Sequence, residues 1–359
     1  MSKELKNNVI EQNGNKLTVN KICASKNKVK VCFTIESNKS FKHFGMHGGL
    51  EVNVFMGDLE NRHTRSSAHL TQDNKIEYEV EINNENGFAE TGVIRVDVVD
   101  GYRNLNASLK IPVNFKEDFQ DNYTQDLSGA IKGTDIEIKQ FVSNRVETGV
   151  VLLWPDNEKF IENIDNSNFL INVDGKIYLA NNIDDFEADN NRNMIATAED
   201  LTYDQIKDSN SISVMNYYNS MTDEELNKYY EDFDTKDNIL GEVPKTENGE
   251  TDFLIKFNDK TEGKIKVIKE NDNIKIYCSS DSDKKSMLMA MNTFGLYCDE
   301  NNDAYDSIDN KVIYKDKKVD NQYIIELNNV EKDKTAVLLM EKTILEDDKF
   351  VFGNEIKVK

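Results

Sequence analysis

Positive charge is what this chain is shortest of. Its 44 Lys and Arg face 66 Asp and Glu, for a net charge of −22. Phosphate backbones are held by clustered Lys and Arg, so this balance argues against nucleic acid as a partner. It argues equally against docking on anionic lipid. Long apolar runs are missing too: none reaches the ~20 residues that cross a bilayer as a helix. The opening MSKELKNNVIEQNG has no apolar signal-peptide core. Taken at face value, that places the chain in the cytoplasm; a leader or anchor ahead of it would place it outside. Proline is scarce, at 3 residues. The 4 cysteines form two local pairs, Cys23/Cys32 and Cys278/Cys298. Neither pair has the CxxC spacing of a zinc knuckle or a thioredoxin-type redox motif. Two local disulfides in an oxidising compartment and four separate small hydrophobes both fit.

Catalytic signatures are also missing. There is no GxSxG, no HExxH and no P-loop. Ser66 and Ser67 lie near His69, but triads are spatial and sequence proximity carries little information. No carboxylate pair suited to glycoside chemistry stands out among so many acids. The residues therefore name no catalytic group and no cofactor, and the chain reads as non-enzymatic.

What the chain does have is alternation. In KLTVNKICASKNKVKVCFTI, from Lys16 to Ile35, two amphipathic runs flank a polar turn. Leu17, Val19, Ile22 and Ala24 precede the turn; Val29, Val31, Phe33 and Ile35 follow it. Strict period two puts the second set on one face of a strand, with Lys30, Cys32 and Thr34 on the other. A loop at Asn27-Lys28 would set Ile22 opposite Phe33, Ala24 opposite Val31 and Cys23 opposite Cys32. A different loop length breaks that pairing, because register follows from it.

Similar short strands recur at Leu50–Phe55, Lys75–Ile82, Gly92–Val99 and Ser108–Val113, separated by Gly, Asn and Asp clusters. That rhythm predicts a sandwich. GTDIEIKQFVSNRVETGVVLLWP, opening at Gly133, repeats the theme that opens at Gly14, roughly 120 residues apart. A domain repeat and a chance likeness of two hairpins both fit. Trp154 ends the apolar run VVLLW and reads as a core anchor. Asn168 to Ala180 reads as a hairpin turning at Asp174-Gly175. Thr222 with Glu225 forms a capping box for a short helix carrying Leu226, Tyr229, Tyr230 and Phe233. A second helical pattern covers Leu201–Asp208. Leu240 to Asp252 has linker composition. Strands return at Phe253–Phe257, Lys264–Ile268, Asn273–Tyr277, Ser286–Met291, Lys311–Tyr314, Tyr323–Leu327, Ala336–Met340 and Lys349–Val351, although the Ser286–Met291 stretch also suits a buried helix. The expected architecture is all-β: tandem immunoglobulin-like β-sandwiches with a few short helices. Its expected parts are residues 1–118, 119–240 (with the helices) and 241–359.

Two stretches invite a metal reading. All 4 histidines fall between His43 and His69. Clustered imidazoles suit zinc, copper or nickel. However, Gly45, Gly48 and Gly49 make a helix improbable there, and no Cys or obvious Glu ligand completes the set locally. Asp299, Asn301 and Asp303 imitate a calcium loop, but Ala304 replaces the turn glycine and Asn310 the bidentate Glu. The acidic stretch Asp184–Asn190 is a comparable loop. All three read as solvated loops, so no metal is assigned.

VIEQNGNKLTVNKICASKNKVKVCFTIESNK, Val9 to Lys39, combines an Asn-Gly opening, an alternating strand, a polar turn and a strand ending in Glu-Ser. In this it resembles the domain of unknown function that follows the membrane helix in anti-sigma-factor-like proteins of Gram-positive bacteria. IKGTDIEIKQFVSNRVETGVVLLWP (Ile131–Pro155) with NVDGKIYLA (Asn172–Ala180) is similar to the β-sandwich that comes next in that family. The resemblance implies the extracytoplasmic part of a membrane-anchored regulator. The membrane helix and the sigma-binding segment would lie outside this chain. It implies no enzyme and carries over no ligand-binding residue. The expected work is sensing: an envelope signal or protein partner binds, and the tethered regulator responds. The alternative is a surface-anchored adhesin or structural lipoprotein without a signalling role.

Overall fold

The computed structural model describes residues 8–41, 50–56, 64–84, 87–153, 167–188, 191–198, 200–230, 238–298, 304–308, 311–328, 330–331 and 334–359. The fold is all-β, in antiparallel sheets, with three short α-helices among the described residues. It divides into two compact units. The first holds Met1–Thr124, Val142–Thr148 and Glu187–Asp189; the second holds Gln125–Phe141, Gly149–Phe186 and Asn190–Lys359.

Among the described residues, the first unit rests on eight strands: β1 (Val9–Gln12), β2 (Asn15–Ala24), β3 (Lys28–Glu36), β4 (Glu51–Met56), β5 (Thr64–Gln72), β6 (Lys75–Asn83), β7 (Thr91–Asp100) and β8 (Leu105–Asn114). They form a five-stranded sheet, β1-β2-β3-β6-β5, and a three-stranded one, β4-β7-β8. One core joins the two layers into a sandwich. Leu17, Val31, Phe33 and Val80 come from the first sheet; Ile94, Val96 and Ile111 come from the second. Alternation is the cause: Val29, Val31, Phe33 and Ile35 are fully buried, while Lys30 and Cys32 between them are not. Each such aliphatic or Phe side chain contributes about 1.5–3 kcal/mol of burial. Phe33 lies directly opposite Tyr78 and stacks on it at 5.2 Å. Strand β5 covers part of what the sequence suggested was a histidine-bearing loop.

The β2–β3 turn closes one residue earlier than Asn27-Lys28. Ser25 and Lys28 flank a Lys26-Asn27 loop, with the Ser25 amide donating to the Lys28 carbonyl at 2.8 Å. Ala24 then faces Val29, Cys23 faces Lys30 and Cys32 faces Lys21, with a bulge between Val19 and Lys21. The two cysteines become diagonal neighbours, about 7–8 Å apart at Cα. That exceeds the roughly 6.8 Å a disulfide spans. All 4 cysteines are free thiols; Cys278 and Cys298 lie on strands of different sheets, both buried.

The remaining elements run β9 (Asn122–Ala130), β10 (Glu137–Asn144), β11 (Thr148–Leu153), β12 (Ser167–Val173), β13 (Lys176–Ala180), β14 (Asn182–Ala188), β15 (Asn191–Thr197), α1 (Tyr203–Lys207), β16 (Ile212–Asn219), α2 (Asp223–Tyr230), β17 (Ile239–Glu242), β18 (Glu250–Lys256), β19 (Glu262–Glu270), β20 (Asn273–Ser280), α3 (Asp283–Met291), β21 (Thr293–Cys298), β22 (Ala304–Ser307), β23 (Lys311–Lys315), β24 (Gln322–Leu327), β25 (Thr335–Met340), β26 (Phe350–Phe352) and β27 (Ile356–Lys357). One sheet orders β14-β15-β11-β10-β9 and another β17-β25-β21-β22. The largest is ten-stranded: β18-β19-β20-β24-β23-β13-β12-β16-β26, with β27 also on β16.

Local chemistry explains several elements. Asp174 and Gly175 both take positive φ, 51° and 90°, as a type I′ hairpin turn requires. The Thr222 amide donates to Glu225 Oε2 at 2.9 Å, and the Glu225 amide to Thr222 Oγ1 at 3.3 Å, closing the α2 capping box. Ser286–Met291 is helical, not a strand: Met, Leu and Ala are strong helix formers and no β-branched residue interrupts them. Its residues are buried on every side, from Lys285 to Met291.

Two expectations based on composition meet a different arrangement. The Leu240–Asp252 stretch is bound into the fold. Val243 is buried and its amide donates to the Ala336 carbonyl at 2.9 Å, while the Asn248 amide donates to the Lys269 carbonyl at 2.9 Å. The ten-stranded sheet also takes strands from both sides of residue 240, through Ile177 opposite Ile313 and Tyr218 opposite Val351.

Candidate recognition cleft

His43, His47, His63 and Trp154 lie outside the described residues, as do Asp299, Asn301, Asp303 and Asn310. So do the side chains of Asp184–Asn190. His69 sits on β5, exposed, opposite Glu77. Among the described residues, no three His, Cys, Asp or Glu groups are placed to hold a metal ion.

The first unit carries a cleft that motif reading did not single out. Three turns meet at one end of the sandwich: Asn13-Gly14 between β1 and β2, Ser37-Asn38 after β3, and Asp73-Asn74 between β5 and β6. They enclose an open cleft of about 410 Å³, lined by Glu11, Asn13, Asn15, Glu36, Asn38 and Asn74 among others. Lys16 lies between Glu11 and Glu36 in the sheet register and offsets part of their charge.

The walls are fixed by hydrogen bonds. The Ser37 amide donates to the Asn74 carbonyl at 2.9 Å, and Asn74 Nδ2 returns a bond to the Ser37 carbonyl at 3.2 Å. Asn13 Nδ2 donates to the Asn104 carbonyl at 2.9 Å. Asn15 is 2% exposed. Its Nδ2 donates to the carbonyls of Gln12 at 3.2 Å and Arg103 at 3.0 Å. Its buried Oδ1 has no hydrogen-bond partner among the described residues.

Behind these turns stands the β7–β8 turn and its buried ion pair. Arg103 is 1% exposed, as is Asp100. The Arg103 guanidinium meets Asp100 Oδ2 at 2.5 Å and donates to the Ser40 carbonyl at 2.7 Å. The Arg103 amide donates to Asp100 Oδ1 at 3.0 Å. The guanidinium also stacks over Phe41 at 4.0 Å. One side chain thus ties the β7–β8 turn to the chain leaving β3. Lys39 Nζ adds a bond to the Tyr102 carbonyl at 2.6 Å.

Chemically the cleft is a set of amides, which both donate and accept, with carboxylates at the rim. It suits hydrogen bonding to a polar ligand. The signal for it was present in the sequence as Asn-Gly, Ser-Asn and Asp-Asn pairs at strand ends, which mark turns but do not say which turns meet. Gly14 is constrained twice: φ is +77°, and a Cβ there would lie 2.7 Å from Asn38 Nδ2. Gly14→Ala is therefore expected to lower stability by about 1–2 kcal/mol in a denaturant melt; an unchanged midpoint would show that the turn relaxes freely.

A strongly displaced titrating group lies in the second unit. Lys311 points from β23 toward the core. Its Nζ donates to the carbonyls of Met291 at 2.9 Å and Thr293 at 2.7 Å and lies 4.5 Å from the Phe294 ring centre. Burial of the head pushes its amine down to about 7. The neighbouring Cys278 thiol is pushed up to about 12 by its own burial. Burial also raises the Glu341 carboxyl. The bonds to the end of α3 and the start of β21 give Lys311 a positioning task in the core.

No family model matches the chain, and no curated relative matches it. Among solved structures, the crystal structure of the conserved domain protein from Bacillus anthracis is similar, with a TM-score of 0.43 and 13% identity. The match covers 60% of this chain and 77% of that one.

Proposed function

We propose that this chain is a recognition region and not an enzyme: the extracytoplasmic part of a membrane-anchored, anti-sigma-factor-like regulator. An immunoglobulin-like grouping of its strands belongs to the same proposal. The observation that carries the reading is the amide-lined cleft of the first unit. Its turns are held in place before any ligand arrives, which lowers the ordering cost of binding. Loops presented by a rigid sandwich are where recognition concentrates. The partner that suits it is an envelope component rich in hydroxyl or amide groups. The sigma factor would be reached only through the regulator's own cytoplasmic segment.

The test is a sigma-dependent reporter in cells carrying the full regulator. Asn38 is exposed, so Asn38→Trp fills the cleft at little cost to the fold. The variant should blunt the reporter's response to envelope stress while its unfolding midpoint stays put. If neither Asn38→Trp nor deletion of the first unit moves the reporter, the signalling role is lost. A drop in cell attachment in that case would favour the adhesin alternative.

A further inference from the structure

The ten-stranded sheet ends differently at its two sides. At one side β16 carries two short strands, β26 of 3 residues and β27 of 2. At the other stands β18, 7 residues long, paired with β19 in a register without a bulge. Natural sheets blunt their edges with short strands, bulges, proline or charges of one sign, because a regular unpaired edge is a template for another strand. The sequence of β18, ETDFLIK, has no proline and carries charges of both signs.

The direction of its backbone groups follows from its two ends. The Phe257 amide donates to the Thr261 carbonyl at 3.0 Å, and the Lys269 amide donates to the Gly249 carbonyl at 3.2 Å. Hydrogen-bonded and non-hydrogen-bonded pairs alternate along antiparallel strands. Thr251, Phe253 and Ile255 therefore bond inward to β19. The amides and carbonyls of Glu250, Asp252, Leu254 and Lys256 point away from the sheet, with no backbone partner among the described residues.

The side chains of these same four residues share one exposed face. Leu254, at its middle, is 58% exposed. Asp252 precedes it and Lys256 follows it. Asp252 pairs with Lys264 at 2.7 Å, and Lys256 has no ion pair among the described residues. A two-fold axis through Leu254 makes this strand complementary to itself. Leu254 then meets Leu254 of a second copy, and Asp252 meets Lys256 on both sides of the axis. On the other face, half-buried Phe253 meets Ile255. Each outward-pointing pair exchanges two backbone hydrogen bonds. Opposite charges directly across a strand pair stabilise it, and like charges do the reverse. Asp252 keeps Lys264 as well, since a carboxylate has two accepting oxygens. An axis through Phe253 would instead set the Asp252 charge against apolar Leu254.

We propose that β18 is a homodimer edge. It pairs antiparallel with β18 of a second copy of this chain about a two-fold axis at Leu254, joining two ten-stranded sheets into one. This interface is isologous, so every favourable contact occurs twice. The inference does not rest on the amide cleft of the first unit.

The test is sedimentation equilibrium of the whole chain from about 5 to 500 µM, the range of weak association. Net charge −22 opposes association, so the salt is set at about 0.15 M, where the screening length is about 8 Å. A monomer–dimer equilibrium with a dissociation constant of about 100 µM or tighter is expected, as suits a small interface. Leu254→Lys, which sets two ammonium groups on the axis, should weaken it at least about tenfold. Asp252→Lys and Lys256→Glu each replace two attractive contacts by two repulsive ones and should weaken it by about as much. Mixed with each other, these two variants should recover a heterodimer, because every charge then faces its opposite. Lys132→Glu, an exposed charge reversal between β9 and β10, should change nothing. Hydrogen exchange of the unaltered chain gives a reading that needs no variant. Exchange at the Asp252, Leu254 and Lys256 amides should slow as concentration rises, while Phe253 and Ile255, already bonded to β19, should keep their rates. A monomer throughout, a dimer indifferent to Leu254→Lys, a dimer of Asp252→Lys alone, no recovery on mixing, or exchange independent of concentration would each overturn the proposal.

Discussion

Arg103→Ala should destabilise the first unit by about 3–5 kcal/mol, because it strands a buried carboxylate. Asp100 is 1% exposed, and the guanidinium is its charged partner at 2.5 Å. The same truncation removes the bond to the Ser40 carbonyl and the stack on Phe41. A urea melt followed by far-ultraviolet circular dichroism reads the loss. Hydrogen exchange should localise it, with faster exchange at Asn13–Asn15 and at Ser37–Phe41, of which Ser37 and Asn38 line the amide cleft. Asp100→Asn in the Arg103→Ala background should recover part of the stability, since the stranded charge is gone. A loss under about 1 kcal/mol would mean that water reaches Asp100 once the arginine is removed.

The second large effect is a pH dependence. Lys311 is held near 7 in the folded chain, against an ordinary value of 10.5. Below about 7 both folded and unfolded chains carry the proton, and the folded chain bears the cost of a buried charge. Between 7 and 10.5 the unfolded chain binds a proton that the folded chain does not, so stability rises with pH. Cys278 works in the opposite sense, because its folded value of about 12 exceeds the ordinary 9.0. Its contribution is present below 9 and fades as pH rises above that. The window that isolates Lys311 is therefore about 7 to 9. Across it, wild-type stability should gain about 2 kcal/mol relative to Lys311→Met, which keeps the stem and cannot titrate. The Met variant also loses two donors to the Met291 and Thr293 carbonyls, so the difference between the two pH values is the diagnostic quantity. Parallel pH profiles for the two proteins would show that the ammonium stays solvated.

Much of the fold was legible locally. Period-two alternation places a buried face on any strand, whatever that strand pairs with, so β3, β6 and β7 could be read directly. Asp174-Gly175 announces a type I′ turn because few other pairs accept positive φ twice. Thr222 with Glu225 announces a helix start because the two side chains satisfy each other's amides. The β2–β3 register was not legible: a bulge between Val19 and Lys21 and a loop shifted by one residue move Cys23 away from Cys32, and neither leaves a local signature. The Ser286–Met291 run was ambiguous because an apolar stretch buried on all sides shows no period.

Alternation, turn chemistry and helix caps come from the sequence by itself, because each acts within a few residues and needs no partner. Which strands share a sheet and which turns enclose the amide cleft were decided only by the tertiary structure. Those placements join residues as far apart as Asn13 and Asn104. Burial and hydrogen-bond satisfaction across the whole molecule select them.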